Sequence, residues 1–264
     1  MCRIAAYLGQ AQPLSALLFD APHGLYEQAY RPREQSHGYV NVDGTGVGWW
    51  PELGAEEPLV YVGEKPPWAD PNLRRLAPRL RGALQLWSVR SATDGIPVSS
   101  GHVHPFAHGR LAFVHNGFLG QYRQRVWRQL VESLPDELYA EYSAVSDSQA
   151  LFLSLVHEFQ SAPEDGLGAA TVRTLERVSA IAREHELPAV LNLFVADGER
   201  LVAVRCSVNA SSNTLYVHAD EQGVSVASEA TDERPGWQAV GENSWLEVSA
   251  DGWVERELPC PAPA

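Results

Sequence analysis

Met1-Cys2-Arg3-Ile4-Ala5-Ala6-Tyr7-Leu8 is the stretch on which the reading of this chain turns. Arg3–Leu8 reads as a short buried strand, and it starts immediately after a cysteine. Removal of Met1 would give Cys2 its own α-amino group. That amine, with an ordinary pKa of about 7.7–8.0, is more than two units less basic than a lysine, so roughly a tenth or more of it is neutral near pH 7, far more than of a lysine. A free thiol of pKa about 8.5 is only a few per cent thiolate there. Nucleophile and base would then share one residue, with no catalytic histidine required. The competing reading is an accident of the start site, where a small second residue is merely tolerated.

Outward from this strand, the stretch from His37 to Gly48 reads as a loop entering an aromatic strand around Trp49–Trp50, and Leu59–Val62 as another strand. Asp70-Pro71 marks a helix start, Asp as cap and Pro at the first helical position, with Leu73, Leu76 and Leu80 as its apolar stripe. Leu84–Val89 and Leu111–His115 read as strands that end at polar clusters. Behind Ser146 and Asp147, the spacing of Leu151, Phe152, Leu155, Val156 and Phe159 predicts a helix. Val172, Leu175, Val178 and Ile181 predict a second, ending before Pro188. From Ala189 onward strands follow, with Asp197-Gly198, Gln222-Gly223 and Asp251-Gly252 as hairpin turns. Strands, two helices, then strands again, with no linker or internal repeat, predict stacked sheets with helical cover. The 264 residues suit one domain, taken as 1–258, with 259–264 as an unstructured tail.

An apolar fraction of 45% and eight tryptophans are ample for a core. The formal net charge of -13 argues against nucleic acid or an anionic membrane as partner, since phosphate binding needs a basic surface. Met1–Gly9 lacks the basic start and long apolar stretch of an export signal, and no run approaches the roughly 20 apolar residues of a membrane span. Cys2, Cys206 and Cys260 are odd in number and form no disulfide framework, so a reducing, cytoplasmic setting is expected.

Four further features bear on chemistry. In His115-Asn116-Gly117 the Asn amide and the Gly N–H, placed at a strand end, can point two donors at one oxyanion, where a donor is worth roughly 2.7–4 kcal/mol of barrier. A plain Asn-Gly turn is the alternative. Arg90, at the end of another strand, can hold a carboxylate through its fork or be a surface residue. Asp147 can hold an ammonium group or cap the helix that follows it. Together these residues describe a site for a free amino acid head carrying an amide further along its side chain. Glutamine or a γ-glutamyl amide fits. The fourth feature, His102, His104 and His108, has no carboxylate or cysteine beside it at a familiar ligand spacing, so neither a metal nor another cofactor is expected.

Met1-Cys2-Arg3, Asn41–Gly46, Val89–Thr93, His104-Pro105-Phe106, His115-Asn116-Gly117 and Ser146-Asp147-Ser148 stand in the order seen in class II glutamine amidotransferases, which the chain therefore resembles. Ser228-Glu229 resembles a further family feature. The resemblance implies an α+β, four-layer α-β-β-α sandwich of the N-terminal nucleophile hydrolase type. It also implies the roles above: Cys2 as nucleophile, Asn116 and Gly117 at the oxyanion, Arg90 and Asp147 on the head group. Gln28–Gly38 and Val89–Thr93 resemble the ergothioneine-biosynthesis amidohydrolases, which release glutamate from γ-glutamyl-hercynylcysteine sulfoxide. Two departures stand out. Thr45 occupies the place of an aromatic residue, and Ser88 that of a histidine. The expected function is hydrolysis of a linear γ-glutamyl amide, with a small-molecule substrate. The alternatives are a glutaminase subunit of a two-protein amidotransferase, a glutathione-type γ-glutamyl peptidase subunit, and a catalytically silent scaffold. A homodimer or a partner enzyme stays open.

Overall fold

In the computed structural model, which describes residues 2–35, 38, 40–92, 97–142 and 146–259, the run after Cys2 is strand β1, extended to Arg3–Pro13. Met1, Ser36, His37, Thr93 and the tail residues from Cys260 onward, each part of a reading above, lie outside the described residues. The other strands are β2 (Thr45–Trp50), β3 (Leu59–Gly63), β4 (Arg81–Val89), β5 (Phe106–His108), β6 (Leu111–Leu119), β7 (Ala189–Ala196), β8 (Leu201–Arg205), β9 (Ser207–Val208), β10 (Tyr216–Asp220), β11 (Gly223–Ala227), β12 (Gln238–Ala239), β13 (Ser244–Ser249) and β14 (Gly252–Glu257). The α-helices are α1 (Leu25–Gln28), α2 (Pro71–Leu76), α3 (Trp127–Val131), α4 (Asp136–Glu141), α5 (Asp147–Ser161) and α6 (Gly166–Glu184).

One sheet runs β12-β10-β11-β1-β4-β2-β3, the other β14-β13-β8-β7-β6-β5 with β9 also on β7. β1 is interior to its sheet and covered on both faces, which is why it reads as a continuous apolar run rather than an alternation. Ile4, Ala6 and Leu8 point between the sheets, with Leu84, Leu86 and Val226 beside them and Ala112, Val114, Phe194 and Leu246 of the second sheet opposite. Ala5 and Tyr7 point outward, against Val47, Trp49, Trp87, Leu17, Leu25 and Leu73. A third cluster joins the outer face of the second sheet to α5 and α6 through Phe113, Leu191, Leu193, Phe152, Leu155 and Val178. The result is the expected α+β, four-layer α-β-β-α sandwich. Its outer layers are unequal. Both long helices cover the second sheet, because the short Ala162–Asp165 connection keeps them neighbours. The first sheet is covered by α1, α2 and helical turns.

Asp70 caps α2 as its sequence predicts, accepting from Asn72 N and Leu73 N at 3.0 Å. The stripe does not persist: α2 ends at Leu76, leaving Leu73 buried but Leu76 46% exposed. All three hairpins form, joining β7 to β8, β10 to β11 and β13 to β14. The predicted loop up to Gly48 is shorter, since β2 begins at Thr45. Gly46 pairs with Val62 and Ser88 inside this strand, and it is glycine because the His104 backbone crosses so close that a Cβ would lie 3.0 Å from the His104 carbonyl carbon. The main correction concerns β6. The sequence ends this strand at His115, with Asn116-Gly117 at its end, but β6 runs on to Leu119, with Asn116 opposite Asn192 and Gly117 opposite Leu191.

Candidate active site

Strand alternation decides which side chains meet. Ile4 faces the intersheet core, so Cys2 two residues earlier lies on that side, and Arg3 turns outward. Leu84 and Leu86 of β4 carry the same phase to Arg90, Ala112 and Val114 carry it to Asn116, and Val224 and Val226 of β11 carry it to Ser228. Arg3 pairs with Val89, which sets Cys2 against the residues following β4; its Sγ lies 3.7 Å from the Ser91 carbonyl oxygen. Ser228 joins the two sheets. Its Oγ accepts from Ile4 N at 3.1 Å and from Asn116 Nδ2 at 3.4 Å, while its own N–H donates to Ile4 O at 2.9 Å. Cys2, Arg90, Asn116 and Ser228 thus gather between the sheets at one end of the sandwich.

Asn116 is fully buried, and Asn213 Nδ2 donates to its carbonyl at 2.9 Å. With one Nδ2 hydrogen directed at Ser228, the second remains for another acceptor. Leu191, opposite Gly117, sends its N–H away from β6 to Cys206 O at 2.9 Å. This is therefore a wide pair in the ladder, and the Gly117 N–H also turns away from β7. β5, the strand on that flank, pairs with β6 only through Phe113, so no described strand covers this donor. Gly117 itself is obligatory, as a Cβ there would lie 2.6 Å from both Val190 C and His115 Nε2.

Arg90 is buried, and its backbone is locked to the glycine loop by Arg90 N to Gly44 O (2.8 Å) and Asp43 N to Arg90 O (2.9 Å). Among the described residues its guanidinium makes one long hydrogen bond, Nη1 to Asp43 O at 3.4 Å. Burial lowers its pKa, and the electrostatic influence of nearby Cys2 and Asp43 acts in the opposite sense. Asp43 also accepts Ala92 N at 2.8 Å, shaping the turn after β4.

Asp147 lies at the first turn of α5, but the capping side chain is Ser146, which accepts Gln149 N. Asp147 Oδ2 accepts Leu119 N at 2.8 Å and Oδ1 accepts Ser148 N at 2.7 Å, so the carboxylate stands beside the end of β6, two residues past Gly117. His115 bridges the same region. Its Nε2 faces Val190 O at 3.0 Å, which can only accept, so that nitrogen carries the proton and Nδ1 accepts from Ser148 Oγ at 2.9 Å. Burial pulls its pKa down, against the Asp147 charge and the Val190 hydrogen bond. The Ser148 hydroxyl is thus directed to His115, and each Asp147 oxygen keeps a lone pair.

The sequence profile described as Glutamine amidotransferases class-II matches residues 25–232. The chain belongs to the class II glutamine amidotransferases. It is 33% identical over 248 residues to a gamma-glutamyl-hercynylcysteine sulfoxide hydrolase of Mycolicibacterium smegmatis, covering 94% of this chain and 96% of that protein. The protein of the same name from Mycobacterium tuberculosis is 33% identical over 253 residues, covering 96% and 94%. Among solved structures, a glutamine aminotransferase class-II domain protein from Silicibacter pomeroyi superposes with a TM-score of 0.71 at 27% identity, covering 98% of this chain and 100% of that one.

Within this class II amidotransferase, several residues that the sequence named without a chemical role find their place at the site. Glu229, next to Ser228 and facing the other way, is buried and accepts four hydrogen bonds: Arg3 Nη1 at 3.0 Å and Glu34 N at 3.1 Å on Oε1, His23 Nε2 and Arg33 N at 2.8 Å on Oε2. Burial raises its pKa, but the bonds from His23, Arg33 and Glu34 and the charge of Arg3 outweigh this and hold it below its ordinary value. Two signals in the sequence bear on this network, the Ser228-Glu229 family feature and an arginine directly after Cys2 in an apolar run. Thr45 is buried with its hydroxyl on Lys65 O at 3.0 Å, so its side chain is spent inside the fold. Ser88 is buried at the intersheet end of β4. His104 packs edge-on against Phe106, and His108 bonds Glu141 and Gln160. Among the described residues no three His, Cys, Asp or Glu side chains are grouped to hold a metal, and no helix is long and apolar enough to cross a membrane.

Proposed function

We propose that this chain hydrolyses a γ-glutamyl amide bond with Cys2 as nucleophile, releasing glutamate from γ-glutamyl-hercynylcysteine sulfoxide. The observation that carries the reading is the gathering of Cys2, Arg90 and Asn116 on the intersheet face. Near-full-length similarity to two hydrolases of that name supports the substrate.

In this reading Met1 is removed and the Cys2 amine takes the thiol proton. The thiolate attacks the γ-carbonyl carbon, and negative charge moves onto the carbonyl oxygen. The spare Asn116 Nδ2–H and the outward Gly117 N–H receive that charge, each most strongly in the transition state. The Cys2 ammonium returns its proton to the leaving nitrogen as the C–N bond breaks. Water, activated by the same amine, then hydrolyses the thioester and frees glutamate and the thiol. Arg90, with most of its guanidinium uncommitted among the described residues, takes the α-carboxylate, and the spare lone pairs of Asp147 take the α-ammonium. A reducing, cytoplasmic setting keeps Cys2 free for this work.

Incubating the purified, Met1-free protein alone with γ-glutamyl-hercynylcysteine sulfoxide, glutamine and glutathione tests the proposal. Glutamate should appear fastest from the sulfoxide and not at all with Cys2→Ala. Preferred turnover of glutamine would support the amidotransferase-subunit reading, and of glutathione the peptidase one. Turnover by Cys2→Ala would remove the nucleophile.

A further inference from the structure

A nucleophile at a chain terminus lacks the peptide bond that would hold it on one side, and chain ends fray unless tied down. Once Met1 is gone, Cys2 is joined to the fold through its carbonyl side alone. That carbonyl is gripped. Arg3 Nε donates to Cys2 O at 2.8 Å, and Arg3 Nη1 is itself held by Glu229 at 3.0 Å. Fixing the carbonyl fixes rotation about the Cα–C bond of residue 2, and with it the directions of the α-amine and of Cβ, the carbon that carries Sγ. Arg3 is fully buried on the face away from the thiol, where a guanidinium without a counter-charge would be costly. Glu229 supplies that charge.

The same carboxylate accepts the successive N–H groups of Arg33 and Glu34 and the ring of His23. Resting on the Cys2 mechanism above, we infer that Glu229 is a positioning residue for the nucleophile, acting through Arg3. It also ties the Arg31–Gln35 segment to the same anchor. It touches neither substrate nor reacting atoms. Its action is to hold the sulfur and amine on line, where a misplacement of about 1 Å can cost about 10²-fold in rate.

The test measures alkylation of Cys2 by a glutamine-like chloroketone, separating the maximal inactivation rate from the half-saturating concentration. The proteins are wild type, Glu229→Gln, Arg3→Lys and the double variant, with folding checked by circular dichroism. Glu229→Gln keeps the shape but presents an amide hydrogen where two donors converge, and Arg3→Lys keeps the charge but loses the two-point fork. Each single variant should lower the maximal rate about 10-fold or more with little change in half-saturation. The double variant should be no slower than the worse single, since both changes break one chain of contacts. Wild-type rates in both singles, or multiplying losses in the double, would overturn the inference while leaving Cys2 as nucleophile. A wild-type protein not labelled at Cys2 would instead overturn the proposed function. Should Glu229→Gln fail to fold, Arg3→Lys alone decides: an unchanged maximal rate rejects the relay.

Discussion

Gly117→Ala tests the packing of the oxyanion strand. The added Cβ would stand 2.6 Å from Val190 C and from His115 Nε2, and closer still to Val190 O, whereas ordinary contact begins at 3.4 Å. Neither neighbour is a flexible tip. Val190 O is backbone held in the β6–β7 ladder, one pair from its end, and His115 is clamped between Val190 and Ser148. β6 and β7 must therefore part by about 1 Å, in an interior too dense to absorb the shift. Overpacking of this kind costs about 1–3 kcal/mol, and losing the buried His115–Val190 hydrogen bond about as much again. For a chain of this size that is a fall in Tm on the order of 10 °C. The same shift moves the Gly117 N–H and the Asn116 amide, so kcat/KM should fall by about 10²-fold. Gly101→Ala is the control, since a Cβ there meets nothing within 4 Å. Differential scanning calorimetry and glutamate release on both variants provide the assay. A Gly117→Ala protein with wild-type Tm and kcat/KM would refute the close approach of β7 and the placement of the donor built on it.

Asn116→Ala should lower kcat by roughly 10²–10³ with a smaller change in KM, because its amide bonds most strongly to charge that develops in the transition state; a change confined to KM would put Asn116 in ground-state binding. Arg90→Lys should be poor on γ-glutamyl amides with a free head group, and on wild type an N-acetylated or α-amidated analogue should lose roughly 2–5 kcal/mol in kcat/KM, the cost of a buried charge left unpaired. Equal rates for free and blocked head groups on wild type would take Arg90 and Asp147 out of the site. Burial holds the pKa of His104 well below 6.5, and that of His115 below it, so both stay neutral in the fold. The unfolded chain takes up these protons first. Stability should therefore be full above pH 6.5 and fall below it, by up to about 1.4 kcal/mol per pH unit per histidine until the folded pKa is reached. Urea denaturation at stepped pH should show this slope and a shallower one for His104→Phe, and a flat profile from pH 7.5 to 5 would contradict it.

The local signals in the sequence held where the structure they describe is local. Asp70-Pro71 caps its helix, Asp197-Gly198 turns its hairpin, and the apolar run behind Cys2 is the strand interior to its sheet. Where a reading depended on what lies across the sheet, it went astray. Asn116-Gly117 looks like a turn in isolation, yet β7 lies alongside and carries the strand through it. Leu76 has helical spacing from Leu73, but α2 ends there and exposes it.

By itself the sequence determined the family, the apolar runs from which two sheets can be built, and the types of the residues able to do the chemistry. Those are properties of short segments: spacing, capping, turn chemistry and the identity of single side chains. Only the tertiary structure decided which of these side chains meet. Cys2 and Ser228 are brought together by the pairing of β1 with β11, and Arg3 and Glu229 lie 226 residues apart in the chain but 3.0 Å apart in the fold. Period-two alternation put Ser228 toward the thiol and Glu229 away from it, and the phase of that alternation is set by register with neighbouring strands. No local pattern encodes the register, because it is chosen by burying one face of each strand against a partner distant in the chain.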